Sequence, residues 1–285
     1  MIVQPDSDSK PAATKREFLT CYSTMGCPEL DLAGVIELAQ RYDIDCLELR
    51  SLENTTDLPS YFAASQGGSA AARDLLEAAS KPARVLGTSF KLVGDNQAGR
   101  DALLAFARLA EEVGTPYLRI FGGGAWGKPL VEADFQNAVE VLEWWNAERA
   151  ANGWRTDMLI ETHDAFSATL PLLELFDRLG RGTGIIWDSH HTWRLGGESP
   201  AETWTALRPH IKHVHIKDSA NAPSARHPYT YVLPGAGEMP LREVMSVLRR
   251  DGYDGAVSLE WEKMWHPYLP DLSEALGSAS EQGWW

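Results

Sequence analysis

This chain has little cysteine, little basic charge and no long apolar run. Its three cysteines, Cys21, Cys27 and Cys46, form no CxxC pair. So sparse and odd a count builds no disulfide framework, and reduced thiols are expected, with Cys21 and Cys46 as small buried residues. Lys and Arg number 26 against 40 Asp and Glu, a formal net charge of −14. That balance excludes the basic face a nucleic-acid partner needs, although a local cationic cluster would still serve a small anion. No apolar stretch reaches the roughly 20 residues that cross a bilayer, so no membrane partner is expected. The opening segment MIVQPDSDSKPAATKRE lacks the apolar core of a secretory signal and is rich in polar residues and proline. It reads as a disordered tail over residues 1–17, followed by one domain over 18–285, with a cytoplasmic location. A homo-oligomer is compatible with all of this.

What is present is an alternation of strand and helix signals from end to end. Strands are expected at Phe18–Tyr22, Cys46–Arg50, Arg84–Phe90, Tyr117–Phe121, Met158–Glu161, Gly184–Asp188, Ile211–Lys217 and Ala256–Glu260. Between them lie segments with apolar spacing near 3.6, such as DLAGVIELAQRY (31–42), ALLAFARLAEEVG (102–114) and LREVMSVLRR (241–250). Gly114, Gly180 and Gly252 follow such segments, where a positive φ ends a helix. Eight βα units in about 250 residues predict a single-domain (β/α)8 barrel. The rival doubly wound sheet would carry a GxGxxG-like turn after the first strand, and STMGCPEL (23–30) is not one.

Four segments turn abruptly from aliphatic to polar: IETHDAF (160–166), IIWDSHHTW (185–193), HVHIKDS (213–219) and VSLEWEKMWHP (257–267). In this fold the active site lies at the C-terminal ends of the strands, where all four place their polar residues. Strand alternation points Glu161 and His163 one way, as it does His213, His215 and Lys217, Glu260 and Glu262, and Glu48 and Arg50. The mouth should therefore collect Glu161, Asp188, His215 and Glu260. Three carboxylates and one imidazole, with no thiolate, suit one divalent ion, Mn²⁺ first, with Mg²⁺, Co²⁺ and Zn²⁺ as alternatives. Without a cation the carboxylates would raise one another's pKa. The Gly-rich FGGGAWG (121–127) has no Walker lysine. It either cradles an anion or lets the chain pass close to the pocket. Trp126 and Trp265 are candidates for an apolar wall under a sugar ring.

These motifs resemble the sugar phosphate isomerase/epimerase family, the xylose-isomerase-like barrels. The resemblance is close over the last four strands and general over the first four. It implies one metal held by Glu161, Asp188, His215 and Glu260. Asp188 and His191 meet the family's D-x-x-H, and GAGEMPL (235–241) matches a frequent family segment. The implied substrate is a small keto-sugar or related polyol. It would be isomerised or epimerised by proton abstraction next to a carbonyl, through a metal-stabilised enediolate. Glu161 and Glu260 would be the acid–base pair, and His163, His191, Lys217 and Arg50 the substrate contacts. The alternative on the same scaffold is a dehydratase of inosose or dehydroshikimate type, with His191 or Lys217 protonating the leaving group. Apurinic endonucleases share the barrel but need a basic groove, and a non-catalytic barrel would not need an intact ligand set.

Overall fold

Eight parallel strands close on themselves in a computed structural model that describes residues 17–283. The strands are β1 (Leu19–Ser23), β2 (Cys46–Leu49), β3 (Ala83–Val93), β4 (Tyr117–Gly123), β5 (Asp157–Glu161), β6 (Ile185–Asp188), β7 (Ile211–Ile216) and, after a rim hairpin of β8 (Asp218–Ala220) and β9 (Thr230–Val232), β10 (Ala256–Leu259). The barrel order is β1-β10-β7-β6-β5-β4-β3-β2, each neighbour parallel, with β1 pairing both β2 and β10. This is the expected (β/α)8 barrel, and each expected strand lies within a few residues of an observed one. The tail expected over residues 1–17 lies outside the described residues, Glu17 apart.

Period-two alternation sorts the side chains. On β5, Met158 and Ile160 join the large apolar layer between barrel and helices, whereas Leu159 packs inside the barrel with Val85 and Ile186. Cys21, Cys46 and Ala256 fill another interior position, buried and unpaired as disulfides. Every residue two further along one of these inward-facing series, such as Glu161 after Leu159, is thereby aimed at the barrel axis.

Helices form where local chemistry closes them. Asn96 accepts the backbone N–H of Gly99 and so starts the helix Gln97–Val113 five residues earlier than apolar spacing alone suggests. Gly114, with φ of 83°, ends it. Among the described residues, no helix is long and apolar enough to cross a membrane. The β8–β9 hairpin was not expected from the sequence. Its two three-residue strands are too short to show a period, and a tertiary contact holds the loop that follows it: Asp218, buried, accepts backbone N–H groups from Gly235, Gly237 and Met239.

Candidate active site at the barrel mouth

The last side chains of the later strands converge. Glu161 and Asp188 end β5 and β6, His215 is one residue from the end of β7, and Glu260 follows β10 directly. One donor atom from each lies within 4.8 Å of all the others, and all four residues are buried. His215 Nδ1 is 3.4 Å from Glu161 Oε1, 3.5 Å from Glu260 Oε2 and 4.0 Å from Asp188 Oδ2. Donors bound to one ion at ~2.0–2.2 Å stand about 3–4 Å apart, so the spacing fits a single cation. Buried as it is, His215 Nδ1 has no hydrogen-bond partner, as a donor atom awaiting an ion would have none.

The charges point the same way. Glu48, Glu161, Asp188, Glu260 and Glu262 face Arg50, Arg119 and Lys217, five carboxylates against three cations. Burial pulls His215 down, but the carboxylates of Glu48 and Glu260 outweigh it and hold the ring well above the ordinary histidine range; with the imidazoles neutral, as metal binding requires, those groups leave two negative charges that one divalent ion would cancel. Burial, together with the carboxylates of Glu260 and Glu161 and against the opposing pull of Lys217, pushes Asp188 up to about 7. Lys217 Nζ lies 2.8 Å from Asp188 Oδ2, 2.5 Å from Glu260 Oε2 and 2.8 Å from Glu262 Oε1. Burial pulls its pKa down, but those three carboxylates outweigh it and hold the ammonium well above the ordinary lysine range. The Lys217 side chain is buried, because β7 turns it inward two residues after His215.

The cavity above these groups has a volume of about 460 Å³, and Arg50, Glu161, His163, His191, Lys217 and Glu260 all line it. His191 Nδ1 lies 3.0 Å from the Thr162 carbonyl oxygen, which can only accept. The proton is therefore on Nδ1, and Nε2 is left as the ring's acceptor. Burial and the nearby Lys217 charge hold His191 neutral, well below the ordinary histidine range. His163 leans its Nδ1 on Asp164 at 3.0 Å and packs between Phe121 and His191. Arg50 donates to the Gly87 carbonyl and Ser89 Oγ, and burial beside Arg119 lowers its pKa to about 9.

Arg119 was not singled out by the sequence, and Glu48 and Glu262 were read only as inward-facing, without a role. Arg119 Nε is 3.4 Å from Glu161 Oε2, and its guanidinium stacks 4.0 Å over the Phe121 ring. The available signal was a lone charge inside the otherwise aliphatic and aromatic run YLRIF. Glu48 accepts from both His213 Nε2 at 2.9 Å and His215 Nε2 at 2.8 Å. Glu262 joins through Lys217. Trp265 lines the cavity wall, whereas Trp126 is 55% exposed and stands outside it. The glycines of FGGGAWG serve packing. A Cβ on Gly122 would meet the Phe166 ring at 2.4 Å, and one on Gly123, at φ of 78°, would meet the Val93 carbonyl oxygen at 2.1 Å. Close passage, not an anion cradle, accounts for both.

Comparison with known proteins identifies the family and the fold. A family described as xylose isomerase-like TIM barrel matches residues 36–284. The C-glycoside deglycosidase alpha subunit of Microbacterium trichothecenolyticum is 27% identical over 215 residues, 68% of this chain. The chain spans about half of that relative's length, 52%. The probable 3-DHS dehydratase AsbF of Bacillus anthracis superposes with a TM-score of 0.76 at 17% identity, over 92% of this chain and 99% of that one. The IOLI protein with a binding zinc atom gives 0.72 at 17%, over 93% and 96%. D-psicose 3-epimerase, in the presence of D-fructose, gives 0.68 at 16%, over 93% and 99%.

Proposed function

The chain belongs to the xylose isomerase-like TIM barrel family, and on that premise we propose that it is a divalent-metal-dependent isomerase or epimerase of a small keto-sugar or related polyol. The observation that carries this reading is the converging quartet Glu161, Asp188, His215 and Glu260, whose donor atoms lie within 4.8 Å of one another. The D-psicose 3-epimerase fold and the zinc of the IOLI protein lend it support.

Those four residues would hold the ion. When bound, it supplies a Lewis acid that polarises a carbonyl and acidifies the neighbouring C–H. This chain's own residues do the rest. Glu161 and Glu260 line the cavity from strands separated by β6 and β7, so a substrate carbon between them meets a carboxylate on either side. One takes the proton and the other returns it. Arg119 holds Glu161 from behind. His191 Nε2 accepts from a substrate hydroxyl. The balanced charge of the loaded site favours an uncharged, unphosphorylated substrate, since Arg226, the further cation on the lining, is exposed to solvent at the rim.

The runner-up is a dehydratase, and Lys217 is the observation that favours it. Its ammonium lines the cavity and can protonate a leaving hydroxyl, whereas His191 in its fixed tautomer cannot. The dehydratase name of one similar structure fits such an elimination.

Elemental analysis of the purified protein identifies the ion, and ketoses and inososes are then screened in D₂O. Deuterium entering next to the carbonyl, with a new sugar formed, supports the isomerase. Loss of the α-proton and of water, with an enone chromophore, supports the dehydratase. Neither signal with any carbonyl sugar, in protein that holds its metal, overturns both.

A further inference from the structure

Glu48 is fully buried and comes from β2, on the far side of β1 and β10 from the histidines it touches. Its reach across the barrel depends on small neighbours. The inward residues of the two strands between are Cys21 and Ser23 on β1 and Ala256 and Ser258 on β10, all buried. Larger side chains there would fill the space the Glu48 carboxylate crosses.

At that point a single oxygen, Oε2, receives Nε2 of His213 at 2.9 Å and Nε2 of His215 at 2.8 Å. A carboxylate oxygen only accepts, so each ring must carry its proton on Nε2. For His215 this leaves Nδ1 as the one nitrogen that can give a lone pair to an ion, and Nδ1 is the atom that faces Glu161, Glu260 and Asp188. Those carboxylates only accept as well. Among those acceptors Nδ1 carries either a second proton or a cation, and an ion that binds there displaces the proton.

We propose that Glu48 is a positioning residue that holds His215 in the tautomer and orientation that present Nδ1 to the metal, with His213 as the second anchor of the carboxylate. The proposal rests on the metal reading of the site and adds a residue that touches neither ion nor substrate. A carboxylate behind a ligating imidazole fixes its ring and raises its basicity, and losing such a partner weakens metal binding by about 10–100-fold. The competing arrangement uses Glu48, His213 and His215 themselves as ligands, since their donor atoms also lie within 4.8 Å of one another. It is disfavoured because direct hydrogen bonds of 2.8 and 2.9 Å leave no space for an ion.

Zinc, being diamagnetic, is the probe. The metal-free wild-type chain, labelled with ¹⁵N-histidine, is titrated with zinc and followed by calorimetry and by histidine ¹⁵N shifts. The expected result is one zinc per chain, a proton retained on His215 Nε2 and a shift of His215 Nδ1 on loading. Glu48→Gln should then bind zinc about 10–100-fold more weakly. Its gain in melting temperature on zinc loading should shrink, whereas a purely structural residue would lower the metal-free and loaded forms alike. No zinc binding by wild type overturns the metal reading and this proposal with it. Zinc bound with His215 Nε2 as the ligating atom, or undiminished affinity in Glu48→Gln, overturns the role of Glu48 alone. The wild-type ¹⁵N measurement decides the matter even if the variant does not fold.

Discussion

The two halves of the barrel supply the site in different ways. Strands β5, β6, β7 and β10 carry their chemistry at their ends, within one residue of where each strand stops. Strands β1 to β4 work from within and behind: Glu48 backs a histidine, Arg119 backs a glutamate, and Arg50 lies along the cavity wall. The first half also keeps its interior small, and Gly87 shows why. A Cβ there would meet Arg50 Cδ at 2.7 Å and Arg119 Nη2 at 3.3 Å, so the missing side chain is what lets two guanidiniums lie side by side. The later strands hold ligands, and the earlier ones set their charge and orientation.

The comparison is sharpened most by removing a base from the later half. Glu161→Gln keeps the size and one oxygen but loses the carboxylate. Turnover should fall by about 10²–10⁴, measured at saturating metal with metal content checked, and Glu260→Gln should fall comparably. Wild-type turnover in both metal-loaded variants would refute the two-carboxylate mechanism.

A change in the earlier half should register chiefly in stability. Arg119→Met strips Glu161 of its guanidinium and leaves a buried carboxylate under-compensated, at a cost of about 3–5 kcal/mol in urea unfolding of the metal-free protein. A loss no larger than that of the exposed Arg41→Met would dissolve the division of labour between the halves.

Metal loading should stabilise the later half. At a free ion concentration 100 times its Kd, binding should add about 2.7 kcal/mol to unfolding, and chelation should remove it. A midpoint that ignores both treatments would mean that the folded site has no preference for the ion.

The effect that is smallest near neutral pH belongs to Cys27, in the loop after β1. Burial, helped by Glu29, pushes its thiol up to about 12. The folded state then keeps a proton that the unfolded chain releases above about 8.5. More protons are bound in the folded state across that window, so stability falls as pH rises from about 8.5 toward 12. Cys27→Ala should unfold with a shallower pH dependence there, and identical slopes for the two proteins would contradict the burial of this thiol.

The sequence by itself determined the barrel and its working end. Aliphatic runs that break into Glu, Asp and His are chemically costly unless the break lies at a strand end facing a pocket, so IETHDAF, IIWDSHHTW, HVHIKDS and the segment from Val257 announced Glu161, Asp188, His215 and Glu260 through local pattern alone. Only the tertiary structure decided what stands behind them. Glu48 touches His215 across 167 positions of chain and Arg119 touches Glu161 across 42, and no local period records such a meeting. Lys217 could not be placed from its neighbours either. Adjacent Asp218 spends its carboxylate on backbone N–H groups, while Asp188, Glu260 and Glu262 reach Lys217 because barrel closure brings β6 and β10 to either side of β7.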